Sequence, residues 1–272
     1  IRNIGKMENK LKASALKAPK EIYNKSCVSA VCSGTTGIGK TWFATALCHA
    51  LSLMKKNVLY FDADCGLENI SYQNNLEIST PYSSLISGKI TLNNAVFHFE
   101  RGKFDVISSP SGEDALTTAP VGRAQILAGD LAHLAQYYDY VFIDCSDDGC
   151  KQLNPFFNIC KNIIIIVNAC SSSSIAAFKK IEELQAIAPR AKFNIVINRA
   201  LSYEEGRQTY KTLLKASKEY IKVDLNLLGI IRQDARIRDS VINKALLLNR
   251  YAKCEGAEDS VAVARRFLEE QS

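Results

Sequence analysis

The sequence predicts an α/β domain of the doubly wound type, with a mainly parallel sheet and helices on both faces. Three observations carry this reading. From about residue 27, short β-branched runs alternate with longer amphipathic stretches, which implies right-handed crossovers between parallel strands. The run Ile163-Ile164-Ile165-Ile166-Val167 shows no polar alternation, as expected of a strand buried on both faces. A glycine-rich segment, Gly34 to Thr41, follows one strand-like run and opens a helical one.

In chain order, strands are expected at Cys27–Cys32, Val58–Phe61, Phe104–Ile107, Tyr140–Ile143, Asn162–Asn168, Phe193–Ile197 and Leu225–Ile230. Helical periodicity marks Lys40–Met54, Gly122–Tyr137, Ser174–Ile187 and Glu204–Glu219 between them. The serine run Ser171–Ser174 reads as a loop leading into a helix cap. No repeat or low-complexity linker interrupts the pattern, so residues 26–272 are expected to form one domain.

At 272 residues and 47% hydrophobic composition the chain can bury a full core. No apolar run reaches the ~20 residues that span a bilayer. The N-terminus is basic without an apolar stretch behind it, unlike a secretory signal, and Met7 reads as a natural start. A cytoplasmic protein is expected. The nine cysteines are odd in number and lack C-x-x-C spacing, which points to free thiols rather than a zinc site or a disulfide framework. Charge is unevenly placed: the chain totals +6 (34 − 28), and residues 1–25 carry seven cations against Glu8 and Glu21. That stretch reads as a basic, flexible arm able to meet an acidic protein, anionic lipid or nucleic acid.

Gly34-Thr35-Thr36-Gly37-Ile38-Gly39-Lys40-Thr41 matches G-x-x-x-x-G-K-[ST] in the strand–loop–helix setting the motif requires. Glycines let successive backbone N–H groups turn toward phosphate oxygens, and the helix N-terminus adds its partial positive charge. Lys40 is expected to reach the β- and γ-phosphates and Thr41 to ligate Mg²⁺. Nucleotide contacts are assigned to residues 34–41 and to Trp42. Carboxylates should project from neighbouring strand ends. Two segments supply them: Tyr60-Phe61-Asp62-Ala63-Asp64, with aspartates at i and i+2, and Tyr140-Val141-Phe142-Ile143-Asp144. Asp147 and Asp148 follow as a solvated acidic turn or as further support for hydrated magnesium.

These residues resemble the MinD/ParA family of P-loop ATPases, and within it the MinD-like flagellar branch called FlhG, FleN or YlxH. The likeness covers most of residues 27–250. It rests on the loop Ser33–Thr41 and on Asp62-Ala63-Asp64-Cys65-Gly66-Leu67-Glu68-Asn69, which matches D-A-D-x-G-L-x-N. It rests also on Tyr138–Asp144, on Val196-Ile197-Asn198-Arg199 and on Ser109-Pro110-Ser111-Gly112. The resemblance implies ATP and ADP with Mg²⁺ as cofactors, and a nucleotide-dependent homodimer that engages protein partners and a membrane surface. It implies that Asp64 positions the attacking water, with Lys40 the other catalytic residue. It gives Asp62 and Asp144 to the metal beside Thr41, and Asn198, with Arg199 beside it, to the base. Localisation would be cytoplasmic, peripheral at the inner membrane or a cell pole.

The chain departs from the family pattern at three places. Thr35 stands where the family has the lysine that reaches the opposite subunit's nucleotide, and Thr36 replaces a glycine. Threonine supplies no positive charge, a loss on the order of 10³-fold in rate by arginine-finger magnitudes. Cys145-Ser146-Asp147-Asp148-Gly149 follows the second acidic strand where small uncharged residues are usual, and Ala169-Cys170-Ser171-Ser172 lacks a Pro-Glu pair. Two readings stay open: a slow regulatory ATPase acting on a flagellum or division site, and a hydrolysis-deficient binding module. A ParA-like DNA partitioner using Arg236, Arg238, Lys244 and Arg250 ranks behind them, since Asp234 and Asp239 break that basic stretch. A P-loop ligase resembling dethiobiotin synthetase ranks last. Val261, Ala264, Phe267 and Leu268 share one helical face, but Glu269-Glu270 disfavour anionic lipid. That face is expected to pack on its own domain.

Overall fold

The computed structural model describes residues 28–63, 69–111, 116, 119–145 and 151–271. The basic arm, Asp64 to Glu68, Gly112, and Asp147 with Asp148 lie outside the described residues. Eight strands are described: β1 (Val28–Ser33), β2 (Val58–Asp62), β3 (Phe97–Phe99), β4 (Phe104–Ile107), β5 (Tyr140–Asp144), β6 (Asn162–Asn168), β7 (Lys192–Ala200) and β8 (Leu225–Arg232). They form one sheet in the order β3-β4-β2-β5-β1-β6-β7-β8. Every pair is parallel except β3 with β4.

Seven strands lie where the sequence places them, and β3 is an addition. It has three residues, too short for a period-two pattern to register, and it forms through the tight turn to β4. In that turn Lys103 takes a left-handed φ of 57°.

The isoleucine run explains the two-layered cover. Ile163, Ile165 and Val167 face a core shared with Leu127, Leu131, Ile181, Leu184 and Leu213. These come from the helices Val121–Leu134, Ser171–Ile187 and Tyr203–Ala216. Ile164 and Ile166 face a second core with Phe43, Leu47, Val263 and Phe267, from the helices Lys40–Leu53 and Glu255–Gln271. The absent alternation is therefore a strand with an apolar partner on each side.

Helix ends differ modestly from expectation. The helix at 121 closes in a 3₁₀ turn over Ala135–Tyr137, and that at 203 in a π turn over Ser217–Ile221. The serine run is helical, not a loop, because Ser173 Oγ accepts from the Asn168 N–H at 2.9 Å and pins the first turn to the end of β6. The C-terminal helix packs on its own domain: the Phe267 ring lies 5.3 Å from both Tyr140 and Phe142, with Val261 and Leu268 at the margin of the same core. The six described cysteines are free thiols, and among the described residues no helix is long and apolar enough to cross a membrane.

The helix after the loop also buries two polar groups. Thr45 Oγ1 and His49 Nε2 have no hydrogen-bond partner among the described residues. Burial, followed by the repulsion of Lys103, lowers the His49 pKa from 6.5 to about 4. A folded pKa below the unfolded one means stability that is present above pH 6.5 and is lost as pH falls toward 4. Urea unfolding at pH 7 and pH 4.5 is expected to show a loss of roughly 2–3 kcal/mol from this group. His49→Leu should remove that component, and an unchanged pH slope in the variant would refute the assignment.

Candidate functional site

The site lies at the C-terminal ends of the central strands. β1 runs into residues 34–39, and Gly39 caps the helix Lys40–Leu53. Gly37 and Gly39 have φ of 71° and 95°, a region that costs an L-residue roughly 1–2 kcal/mol. Gly34 is required for another reason: a Cβ there would sit 2.2 Å from the Ala176 backbone carbon. The loop is thus pressed against the helix that follows β6.

Lys40 and Thr41 are buried at the first turn. The Thr41 hydroxyl donates to Asp144 Oδ2 at 2.6 Å, and the Tyr60 hydroxyl donates to the same oxygen at 2.7 Å. Burial, then the adjacent Asp144 carboxylate, pushes the Tyr60 phenol well up, so it stays a donor. Asp62 faces Asp144 across the β2–β5 register, and its Oδ2 accepts from Ser108 at 2.6 Å. Both carboxylates are fully buried, at 1% and 0% exposure, which is tolerable only with such donors around them.

Beside the loop opens a cavity of about 920 Å³, lined by Thr36, Gly37, Lys40, Thr41 and Trp42 on one side and by Asn198, Arg199 and Arg232–Ala235 on another. That size suits a nucleotide. Mg²⁺ keeps most of its waters and takes one or two protein oxygens together with phosphate oxygens. The Thr41 hydroxyl and the Asp144 carboxylate fit that demand. No cluster of three His, Cys, Asp or Glu able to hold a metal occurs among the described residues.

The structure brings Lys40, Thr41, Trp42 and Asp144 together, with Asp62 one strand further out. Ile38 belongs to the core rather than to the cavity. The Thr35 carbonyl accepts from Ser33 Oγ at 2.8 Å, and its residue does not line the cavity. Arg199 lines it in a left-handed conformation, φ 55°. Asn198 is more committed than expected: its Nδ2 donates to the Ile38 carbonyl at 2.7 Å and its Oδ1 accepts from the Arg199 N–H at 3.0 Å. Asn69, the asparagine of the D-A-D-x-G-L-x-N match, donates to the Ser109 carbonyl at 3.1 Å, just beyond β4. Sequence reasoning missed Tyr60 and Ser108 as carboxylate partners, and Arg232, Gln233 and Asp234 as cavity wall. Tyr60 reaches Asp144 on the neighbouring strand rather than Asp62 two residues on, so no local signal marked it, and nothing local marked the wall.

The chain is similar to known proteins in sequence and in fold. A family model described as the CobQ/CobB/MinD/ParA nucleotide binding domain matches residues 29–247. The antiactivator FleN of Pseudomonas aeruginosa is 22% identical over 240 residues, covering 88% of this chain and 85% of FleN. The flagellum site-determining protein YlxH of Helicobacter pylori is 24% identical over 236 residues, covering 85% and 79%. The septum site-determining protein MinD of Pyrococcus horikoshii, solved in complex with Mg-ADP, superposes with a TM-score of 0.74 at 18% identity over 90% of this chain and 98% of that one.

The bonds of Asn198 generate a test. A brace on the loop predicts that Asn198→Ala weakens Mg-ATP and inorganic tripolyphosphate alike, roughly five- to tenfold for one buried hydrogen bond. Calorimetry with both ligands reads this, and a loss confined to ATP would return Asn198 to the base.

Proposed function

The chain belongs to the CobQ/CobB/MinD/ParA family of nucleotide-binding domains, and from that premise we propose that it is a nucleotide-dependent switch protein. It binds Mg-ATP in the cavity beside Lys40 and, through protein partners, regulates the placement or number of a cellular structure of the flagellar or division-site kind. One observation carries the proposal: a buried threonine–aspartate pair at 2.6 Å stands beside the glycine-rich loop and its lysine, and its threonine lines a nucleotide-sized cavity. The printed roles of FleN, an antiactivator, and YlxH, a flagellum site determinant, support the cellular part.

In this reading the loop amides and Lys40 hold the β- and γ-phosphates. Thr41 and Asp144 hold the ion, and Asp62, held by Ser108, stands opposite Asp144 on the next strand. The chemistry the ion supplies when bound is neutralisation of phosphate charge. Asp64 keeps its proposed role toward water on the strength of sequence. A nucleotide-dependent homodimer belongs to the proposal. A lipid-binding role for the C-terminal helix gains no support, because the face carrying Phe267 packs on Tyr140 and Phe142. DNA gains little either, since Arg236 and Arg250 pair with Asp234 at 3.5 Å and with Asp239 at 2.9 Å.

The second reading, a binding module without turnover, is favoured by Thr35 alone. Calorimetry should detect Mg-ATP and Mg-ADP binding to the wild type and a loss of at least about 100-fold in Lys40→Ala, an amount in line with a charged contact to phosphate in a buried site. Absence of binding to the wild type would sink the nucleotide reading. A phosphate-release assay on Thr35→Lys separates the two functions. A rise of tenfold or more, with an upper scale on the order of 10³-fold, marks a slowed ATPase; no rise favours the module.

A further inference from the structure

Arg232 closes β8 and forms part of the cavity wall. β8 lies three strands from β1, roughly 14 Å away at ordinary strand spacing. That distance is too great to serve phosphates at the loop and suits the opposite end of a bound nucleotide. The Arg232 guanidinium is held on three edges. Its Nε and Nη2 donate to the two oxygens of Asp259, each at 3.0 Å, and its Nη1 donates to Glu255 Oε1 at 2.6 Å. Its backbone N–H also donates to Asp259 at 2.9 Å. One face of the plane lies over the Tyr203 ring, with Cζ 4.6 Å from the centroid, and the Tyr203 hydroxyl donates to Asp259.

Two carboxylates around one guanidinium leave no net positive charge for a phosphate. Asp259 itself is 2% exposed, so the forked pair is anchored on a buried carboxylate rather than being a loose surface pair, while Glu255 and Tyr203 hold the guanidinium from the exposed side. With its edges on carboxylates and one face on Tyr203, what Arg232 has left for the cavity is the other face of its plane. Guanidinium planes stack on aromatic rings and on nucleobases. Asn198, the residue expected at the base, has one N–H on the Ile38 carbonyl and one lone pair on the Arg199 N–H; what it has left is an edge contact to a base, and it offers no face for a base to stack on.

We propose that Arg232 is the platform on which the nucleotide base stacks, and that Tyr203, Asp259 and Glu255 are positioning residues that hold its plane; this rests on the nucleotide reading above. A flat platform favours purines over pyrimidines by contact area, without reading their edges.

The test compares calorimetric affinities of the full chain for Mg-ATP, Mg-CTP and Mg-tripolyphosphate. Arg232→Lys keeps a cation opposite Asp259 but removes the plane. The ratio of ATP affinity to tripolyphosphate affinity is expected to fall about tenfold to 100-fold, and the preference for ATP over CTP to shrink with it. Tyr203→Leu should lower the same ratio and Tyr203→Phe should keep it, with thermal melts showing each variant folded. A wild-type ratio in folded Arg232→Lys overturns the proposal, as does a wild type that binds tripolyphosphate as well as ATP. A wild type that binds none of the three removes the nucleotide reading, and this inference falls with it.

Discussion

A carboxylate with no exposure to water governs this structure. Asp144 is 0% exposed, and an isolated charge in that setting is costly unless donors surround it. Two hydroxyls converge on its Oδ2, one from Thr41 after the loop and one from Tyr60 on the neighbouring strand. Thr41 reaches it only because β5 lies beside β1 in parallel register, with Val31 opposite Asp144. Tyr60 reaches it because β2 lies on the other side of β5. The need to satisfy one buried charge therefore fixes the order β2-β5-β1 locally. It also sets the position of the first helical turn, on which Lys40 rides.

That same demand explains what could be read from the chain. Apolar runs that end in aspartate, a glycine loop and a lysine–threonine pair are local features, and each appears in a few consecutive residues. The strands, the loop and the acidic strand ends were accordingly legible. β3 was not, because three residues paired antiparallel to β4 owe their conformation to a turn and a neighbour rather than to periodicity. The serine run at 171 misled because serine favours caps, while here Cys170 takes the cap position and a bond from the Asn168 N–H to Ser173 ties the first turn to the end of β6. The wall at Arg232 to Ala235 was invisible for a related reason. Its order comes from Asp259 and Gly256, some twenty residues further along, through bonds that no local pattern announces.

The C-terminal helix shows how distant pieces of chain share the work. Its first turns carry Glu255, Gly256 and Asp259, which bind Arg232 and Asp234 at the cavity. A Cβ on Gly256 would lie 2.7 Å from Ile237 Cδ1, so the helix and the cavity wall meet almost backbone to side chain. Its last turns bring Phe267 onto Tyr140 and Phe142, within the strand that ends in Asp144. One helix thus touches both the wall at β8 and the strand bearing the buried carboxylate. A nucleotide that presses on either would meet the same rigid strut, with much of its apolar face already occupied.

Binding and turnover make different demands on such a frame. The groups proposed to hold a nucleotide sit on elements fixed by the core: Lys40 and Thr41 on a helix whose next residues, Phe43 and Leu47, are buried, and Arg232 on a wall clamped by Asp259. None of them needs a second chain to be in place. The position at which relatives of this kind are expected to deliver a charge to another subunit carries Thr35 instead, on a part of the loop outside the cavity lining. Losing a charge of that type slows phosphoryl transfer by 10³-fold or more without touching the donors that grip the ground state. In the proposed reading, the frame thus separates the groups that grip a nucleotide from the position that would speed its hydrolysis.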